Sequence, residues 1–304
     1  MPRFGALRAK GQVVGMLVVE GMHEELSRAG RAMNILSGIA HQSAIAIENT
    51  RLVAELATRQ RLEQELKVAR DIQTSFLPAC CPEAPGWQLS AFWRAARQVG
   101  GDFYDFIPLP REHLGLVIAD VADKGVPAAL FMAVSRTLTR AASMTGHRTP
   151  GEALTRTNEM ILSDARSDLF VTMVFADLSP VGRVTYANAG HNPPLLVHAT
   201  GEVERLHPHG MALGVMPEVV LRDQQIKLED GDVLVLYTDG VTDALDARGR
   251  EFGLERLEQT AVAHRHSTAD GIVAAIQDAI HEFVGDEPPF DDLTLVVAKR
   301  SVES

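Results

Sequence analysis

Leu114-Gly-Leu-Val-Ile-Ala-Asp-Val-Ala-Asp-Lys-Gly-Val-Pro-Ala-Ala-Leu-Phe-Met132 reads as a strand that turns directly into a helix. The apolar run Leu114–Val121 is interrupted near its end by one carboxylate, Asp120. A carboxylate at a strand end leaves a hydrophobic sheet at a fixed place. Gly125 permits a tight turn, and Pro127 suits the first turn of the helix expected over 127–145. Three other segments carry an aspartate in a similar setting. They are Asp102 in Val99-Gly-Gly-Asp-Phe-Tyr-Asp105, Asp239 in Val233-Leu-Val-Leu-Tyr-Thr-Asp-Gly240, and Asp291 in Phe290-Asp-Asp-Leu-Thr-Leu295. Four carboxylates from distant segments point to one hard-metal site.

Around this stretch, further strands are expected at Trp87–Trp93, Leu169–Leu178, Val184–Ala189, Leu195–Ala199, Val203–Leu206, Val233–Tyr237 and Leu293–Ala298. Helices are expected at about 150–166, 253–264 and 268–284 as well as 127–145. Strands and helices cluster rather than alternate, which predicts α+β with antiparallel sheet. Pro82, Pro85 and Gly86 make a turn-rich linker before this domain.

The N-terminal part reads differently. Gly11–Glu20 is a strand entered through a glycine turn, followed by a helical pattern from about Leu26 with Ile35, Ile39, Ser43 and Ala46 near one face. One or two strands and a helix cannot bury a core alone. From Ile45 to Phe76 the pattern is continuous helix, with Leu52, Leu56, Leu62, Leu66, Ala69, Ile72 and Phe76 as its apolar stripe, and Pro78 ends it. That stripe predicts a signalling helix able to pair with its twin in a homodimer, against the alternative of packing on its own domain.

The chain of 304 residues is 46% hydrophobic and 23% charged, with a formal net charge of −11. That balance fits a soluble globular protein and argues against nucleic acid, since no basic stripe could neutralise phosphates. No apolar run reaches the ~18 residues of a membrane span, and no signal h-region is present, so a cytoplasmic location is expected. Cys80 and Cys81 are adjacent, a spacing that does not chelate zinc.

The chemistry follows from the donor set. Carboxylates without a His or Cys ligand pattern suit Mg²⁺ or Mn²⁺ rather than zinc. Two such ions about 3.5–4 Å apart can share a water, lower its pKa and direct it at phosphorus. No activated Ser or Cys nucleophile is evident, and none is needed. Gly100, Gly101, Gly125 and Gly240 allow close backbone approach beside the aspartates.

Five motifs in order carry a family resemblance. They are Val99–Asp105, Ala119–Gly125 with Pro127–Met132, Asn188-Ala-Gly-His-Asn-Pro-Pro194, Leu236–Val241 and Phe290–Thr294. Together they resemble the SpoIIE/RsbU-type serine phosphatases of the metal-dependent PPM (type 2C) superfamily. Ala69–Pro78 resembles the helix preceding the catalytic domain in that group. The resemblance implies a four-layer α-β-β-α sandwich of two antiparallel sheets, with two Mg²⁺ or Mn²⁺ ions at one end. It implies that Asp102 and Asp120 flank the shared water, that the Val121 carbonyl completes one shell, and that Asp239 and Asp291 hold the other ion. Asp292 stands where the wider superfamily often has Asn, and is read as supporting. The substrate class implied is a phosphorylated STAS-type anti-anti-sigma factor in partner switching. Residues 5–50 resemble the C-terminal end of a GAF sensor domain. The organisation expected is therefore a GAF-like fragment at 1–50, a linker helix at 45–78 and a phosphatase domain at 79–300.

Two departures from the family pattern matter. Ala122 stands where many eukaryotic members carry a His proposed as general acid, and the phosphate-binding Arg has no evident match. Arg94 and Arg97 are the candidates for that role, with solvated or structural arginines as the alternative. Asp105 is read either as orienting a metal shell through water or as a surface turn acid. His191 is read as a turn residue bonding backbone, Asp123 and Lys124 as a helix-entry device, and Asn158 as a structural bond at a helix–strand junction. His207 and His209 lack a third zinc ligand. A catalytically silent phosphatase-like scaffold is the competing reading. A Ca²⁺ module is weaker, because no Asp-x-Asp-x-Asp-Gly loop is present.

Overall fold

The computed structural model describes residues 3–10, 12–19, 29–144, 149–164, 168–207 and 210–301. Gly11, Leu26, His209 and the expected helix ends at 145 and 165–166 lie outside them. The chain forms two compact units, Met1–Val68 and Ala69–Ser304.

In the first unit, β1 (Arg3–Ala9) and β2 (Gln12–Val19) form an antiparallel hairpin, with Lys10 at φ 47 in the connection. Helix α1 (Ala29–Phe76) begins here as one uninterrupted element. Its Ala40 and Ala44 lie against Leu7, Val14 and Leu17 of the hairpin. The face that carries Ile35 and Ile39 is not the one against the hairpin: both are exposed. Helical spacing offers both stripes, and the small side chains of Ala40 and Ala44 let backbone approach backbone. The stripe Leu52, Leu56 and Leu62 is exposed.

The second unit holds two five-stranded antiparallel sheets. The first contains β4 (Phe103–Pro108), β5 (Leu114–Val121), β6 (Val171–Leu178), β7 (Arg183–Ala189) and β10 (Gln224–Lys227), in the order β10-β7-β6-β5-β4. The second contains β3 (Trp87–Arg94), β8 (Leu195–Val197), β9 (Val203–Arg205), β11 (Val233–Tyr237) and β12 (Leu293–Arg300), in the order β3-β12-β11-β8-β9. Helices α2 (Val126–Met144) and α3 (Pro150–Asp164) cover the first sheet, and α5 (Leu254–Ala263) and α6 (Ala269–Val284) cover the second. The one-turn helix α4 (Asp239–Thr242) follows β11.

Side-chain parity assembles these layers. In β5, Leu114, Leu116 and Ile118 enter the core between the sheets, while Val117, Ala119 and Val121 enter the core under α2 and α3. In β11, Leu234 and Leu236 face the other sheet, and Val233, Val235 and Tyr237 face α5 and α6. Both strands are buried on both faces, each enclosed aliphatic side chain contributing about 1.5–3 kcal/mol of transfer free energy. The result is the expected four-layer α-β-β-α sandwich. Among the described residues, no helix is long and apolar enough to cross a membrane.

Candidate functional site

Parity also selects what stands at the sheet ends. Asp120 shares the parity of Leu116 and Ile118, so it rises between the sheets at the end of β5. Thr172 of β6 is its ladder partner, and Thr238 and Thr294 occupy the matching inter-sheet positions on the second sheet. Asp102, immediately before β4, is 2% exposed. Its Oδ2 accepts hydrogen bonds from Thr238 Oγ1 at 2.6 Å and Thr294 Oγ1 at 2.7 Å. The two sheets are thereby joined through one carboxylate.

The loop leading into Asp102 is held from two directions. Asp292 Oδ1 accepts from the Ala96 N–H at 2.8 Å, and its Oδ2 accepts from the Gly101 N–H at 2.7 Å. Gln73, near the end of α1, closes a reciprocal pair with Gly100: Nε2 donates to the Gly100 carbonyl at 2.5 Å, and Oε1 accepts the Gly100 N–H at 3.0 Å. A Cβ on Gly100 would run into the Asp292 carboxylate, and one on Gly101 would lie 2.9 Å from the Val121 carbonyl. Glycine is required at both positions by that closeness. Asp292 was read as supporting, and it does support, as a three-way acceptor for loop backbone.

Asp239 opens α4 directly after Thr238, and Asp291 precedes β12. A Cβ on Gly240 would strike the Asp292 carbonyl, so α4 lies hard against this segment. Asp291 Oδ2 is 2.6 Å from Lys124 Nζ. Lys124 also donates to the Phe290 carbonyl at 3.3 Å and sits 4.7 Å from the Phe290 ring centroid. A cavity of about 190 Å³ opens beside this edge, with Arg94, Gly240, His281 and Asp291 in its wall.

The carboxylates feel one another. Burial, then Asp120 and Asp292, hold Asp102 well above the usual carboxylate range, against the lowering effect of its two threonine donors. Burial and the charges of Asp239, Asp291 and Asp292 push Asp120 up to about 7, while a hydrogen bond with Asp102 works in the opposite direction. Asp239 is raised by burial, Asp291 and Asp243, with Lys124 partly offsetting the rise. Such mutual repulsion is what a divalent cation relieves.

The four predicted aspartates and the Val121 carbonyl therefore converge on one end of the sandwich. Among the described residues, no three acidic, His or Cys side chains meet as a finished cation cage. Lys124 engages one of the candidate carboxylates instead. The donor set, all oxygen and strongly anionic, fits a hard divalent cation and not zinc.

Several readings need correction. Asp105 is neither a surface acid nor near the cluster. It has the opposite parity to Asp102, is 2% exposed, and meets Arg140 at 2.8 Å and Arg136 at 3.1 Å from α2. His191 is a buried turn residue whose ring has a backbone partner at Tyr237, as expected, and also pairs through Nδ1 with Thr172 Oγ1 at 2.8 Å. Burial pushes its imidazole down to about 4, with the Tyr237 backbone offsetting part of this. Asp123 does brace the helix entry, its Oδ1 accepting the Lys124 N–H at 2.8 Å, but Lys124 itself belongs to the site. Asn158 is structural, bonding Gly214 N–H and the Met216 carbonyl. Lys124, Gln73, Thr238 and Thr294 were not singled out for the site. The two threonines were legible, since both share the inter-sheet parity one or three residues from a candidate aspartate.

Residues 110–301 match the family described as Stage II sporulation protein E (SpoIIE). Protein IcfG of Synechocystis sp. is 34% identical over 267 residues, covering 78% of this chain and 42% of that protein. The chain thus spans less than half of that relative's length. Phosphoserine phosphatase RsbU of Bacillus subtilis is 30% identical over 248 residues, covering 80% of this chain and 72% of that protein. Among solved structures, the SiaA-PP2C domain of Pseudomonas aeruginosa superposes with a TM-score of 0.70 at 23% identity, over 80% of this chain and 98% of that one. RsbX in complex with magnesium has a TM-score of 0.56 at 16% identity, over 72% of this chain and 98% of that one. At these identities the two structures speak for the fold.

Proposed function

The chain belongs to the SpoIIE family of PP2C-type serine phosphatases, and from that membership we propose that it is a metal-dependent protein phosphatase acting on phosphoserine and phosphothreonine. The observation that carries this reading is the set of four carboxylates from four segments, three of them held above the ordinary carboxylate range by burial and by one another. Two Mg²⁺ or Mn²⁺ ions would be held by Asp102, Asp120, Asp239 and Asp291 with the Val121 carbonyl. Bound there, they would supply Lewis acidity and lower the pKa of a bound water. The RsbX relative solved with magnesium supports a divalent ion.

The chain's own residues prepare the site. Thr238 and Thr294 both donate to Oδ2 of Asp102 and so fix the orientation of its carboxylate. Asp292 and Gln73 hold the Gly100–Gly101 backbone beneath it. Ala122 offers no proton, so the serine oxygen released when the phosphoester bond breaks takes its proton from water or another group. The protein substrate proposed is a phosphorylated STAS-type antagonist, in keeping with the phosphoserine phosphatase RsbU among its relatives. The N-terminal unit is proposed to be the closing part of a GAF-like domain, and the exposed stripe of α1 over 45–76 to pair with a second copy.

Purified protein with Mn²⁺ should hydrolyse a phosphoserine peptide. Asp120→Asn and Asp239→Asn should each remove turnover while leaving the fold intact by circular dichroism. Undiminished turnover after EDTA treatment would sink the metal requirement. The competing reading, a silent scaffold, is favoured by one observation, the ion pair that Lys124 makes with Asp291. Titration calorimetry without metal binding, alongside retained partner binding, would decide for it.

A further inference from the structure

The turn between β5 and α2 delivers a cation into a cluster of acids. Asp123 at φ 80 and Gly125 at φ 85 flank Lys124, so the backbone adopts two left-handed conformations around one residue. A non-glycine residue there costs about 1–3 kcal/mol and persists where the surroundings impose it. The Asp123 carboxylate repays part of that cost by accepting the Lys124 N–H at 2.8 Å. The consequence is directional. Lys124 Nζ reaches across to the far sheet's loop, 2.6 Å from Asp291 Oδ2 and 3.3 Å from the Phe290 carbonyl. The Phe290 ring flanks the ammonium at 4.7 Å and limits its swing. Among the described residues, Lys124 is in ion-pair contact with one of the four candidate aspartates, Asp291. Its charge also reaches Asp239.

A phosphomonoester carries close to two negative charges at neutral pH. Entering this site, it meets a cluster of five acids, Asp102, Asp120, Asp239, Asp291 and Asp292, whose negative charge the bound ions and Lys124 would offset. The family's phosphate-binding arginine has no evident counterpart, and Arg94 and Arg97 are exposed and make no ion pair with the four aspartates among the described residues. A lysine suits the task as a compact point charge on a flexible stem. We infer that Lys124 binds the phosphoryl group of the substrate, and the orthophosphate product, at this site. It is a substrate-binding residue supplied by the β5–α2 turn rather than by the segment before Asp102. The inference rests on the phosphatase reading for its substrate, but orthophosphate binding tests it without turnover.

The decisive measurement is calorimetric titration of orthophosphate into Mn²⁺-loaded protein. Wild type should bind it. Lys124→Gln should weaken binding about tenfold or more, the scale of one charge-assisted hydrogen bond. Lys124→Arg should recover part of the loss. KM for a phosphoserine peptide should rise in parallel, and Mn²⁺ affinity should not weaken, because Lys124 is not a ligand. Thermal melts check that each variant folds. A purely structural ion pair predicts the opposite pattern: weaker Mn²⁺ binding with orthophosphate affinity unchanged, and that result overturns the inference. So does wild-type protein that binds Mn²⁺ but not orthophosphate. If orthophosphate binds through Lys124 and no phosphoester is hydrolysed, the phosphatase reading falls and the anion site stands.

Discussion

Asp102 and Asp105 lie three residues apart and serve opposite faces of one sheet. The even position joins the carboxylates between the sheets, and the odd one pairs with α2. Asp105 neutralises Arg136 and Arg140 from the helix side, so Asp105→Asn leaves two cations facing an amide. The loss expected is about 2–3 kcal/mol, below the fully buried range because both arginines keep some exposure. Urea unfolding of wild type and variant would measure it. The cluster itself makes a pH prediction for chelator-treated protein. Asp120 titrates near 7 when folded against 3.8 ordinarily, so the folded form holds a proton that the unfolded chain has released. Stability from this group is present below about pH 4 and is lost as pH rises towards 7 and beyond. His191 acts oppositely: it stays neutral in the fold to about 4 against 6.5 ordinarily, and costs stability as pH falls below 6.5. At pH 6.5 the unfolded imidazole is only half protonated and its effect fades over the next unit, so the carboxylates outweigh it. The melting temperature should therefore fall between pH 6.5 and 8, and Asp120→Asn should flatten the slope. A rise over that interval would contradict the assignment. Asp102, Asp120, Asp239 and Asp291 were legible because each ends an apolar run or enters a glycine turn. Lys124 was not, because its partner lies 167 positions on, and no local pattern encodes that meeting.

At the scale of elements, most strands were legible because their apolar runs are continuous. The exceptions have physical causes. β4 starts immediately after the Gly-Gly-Asp turn and is only six residues long, so it merges with the loop before it. β10, Gln-Gln-Ile-Lys, is a polar edge strand that exists through its pairing with β7. α4 was hidden in a Thr-Asp-Gly sequence that reads as a turn. The final turns of α1 matter for a different reason: Gln73 hydrogen-bonds the Gly100 backbone next to Asp102. A chain shortened to begin at Ala69 keeps that contact but loses the exposed stripe over 45–68. It should keep wild-type turnover per site and sediment as a monomer. A chain beginning at Cys81 loses Gln73, and its Mn²⁺ affinity should drop with its turnover. Equal affinity and turnover in the two shortened chains would show that the Gln73 pair does not support the site.

For the whole molecule, the four-layer order follows from strands whose two faces are both apolar; the α+β class was legible in the clustering of strands and helices, and the layers were expected from the family resemblance. What could not be read was the meeting of Lys124 with Asp291, since that depends on the stacking of the two sheets. The N-terminal unit is different in kind, a hairpin and a helix around Leu7, Ala40 and Ala44. The alternation in β5 carries a consequence for how such a chain can change over generations. One residue inserted or deleted within Leu114–Val121 would send Asp120 to the helix side and exchange the contents of two cores at once. A change of two would restore the side but move the carboxylate about 6.6 Å along the strand. Neither accident is survivable for the site, so descendants of this sequence are free to lengthen at their loops, while the strands that bear the aspartates keep their length.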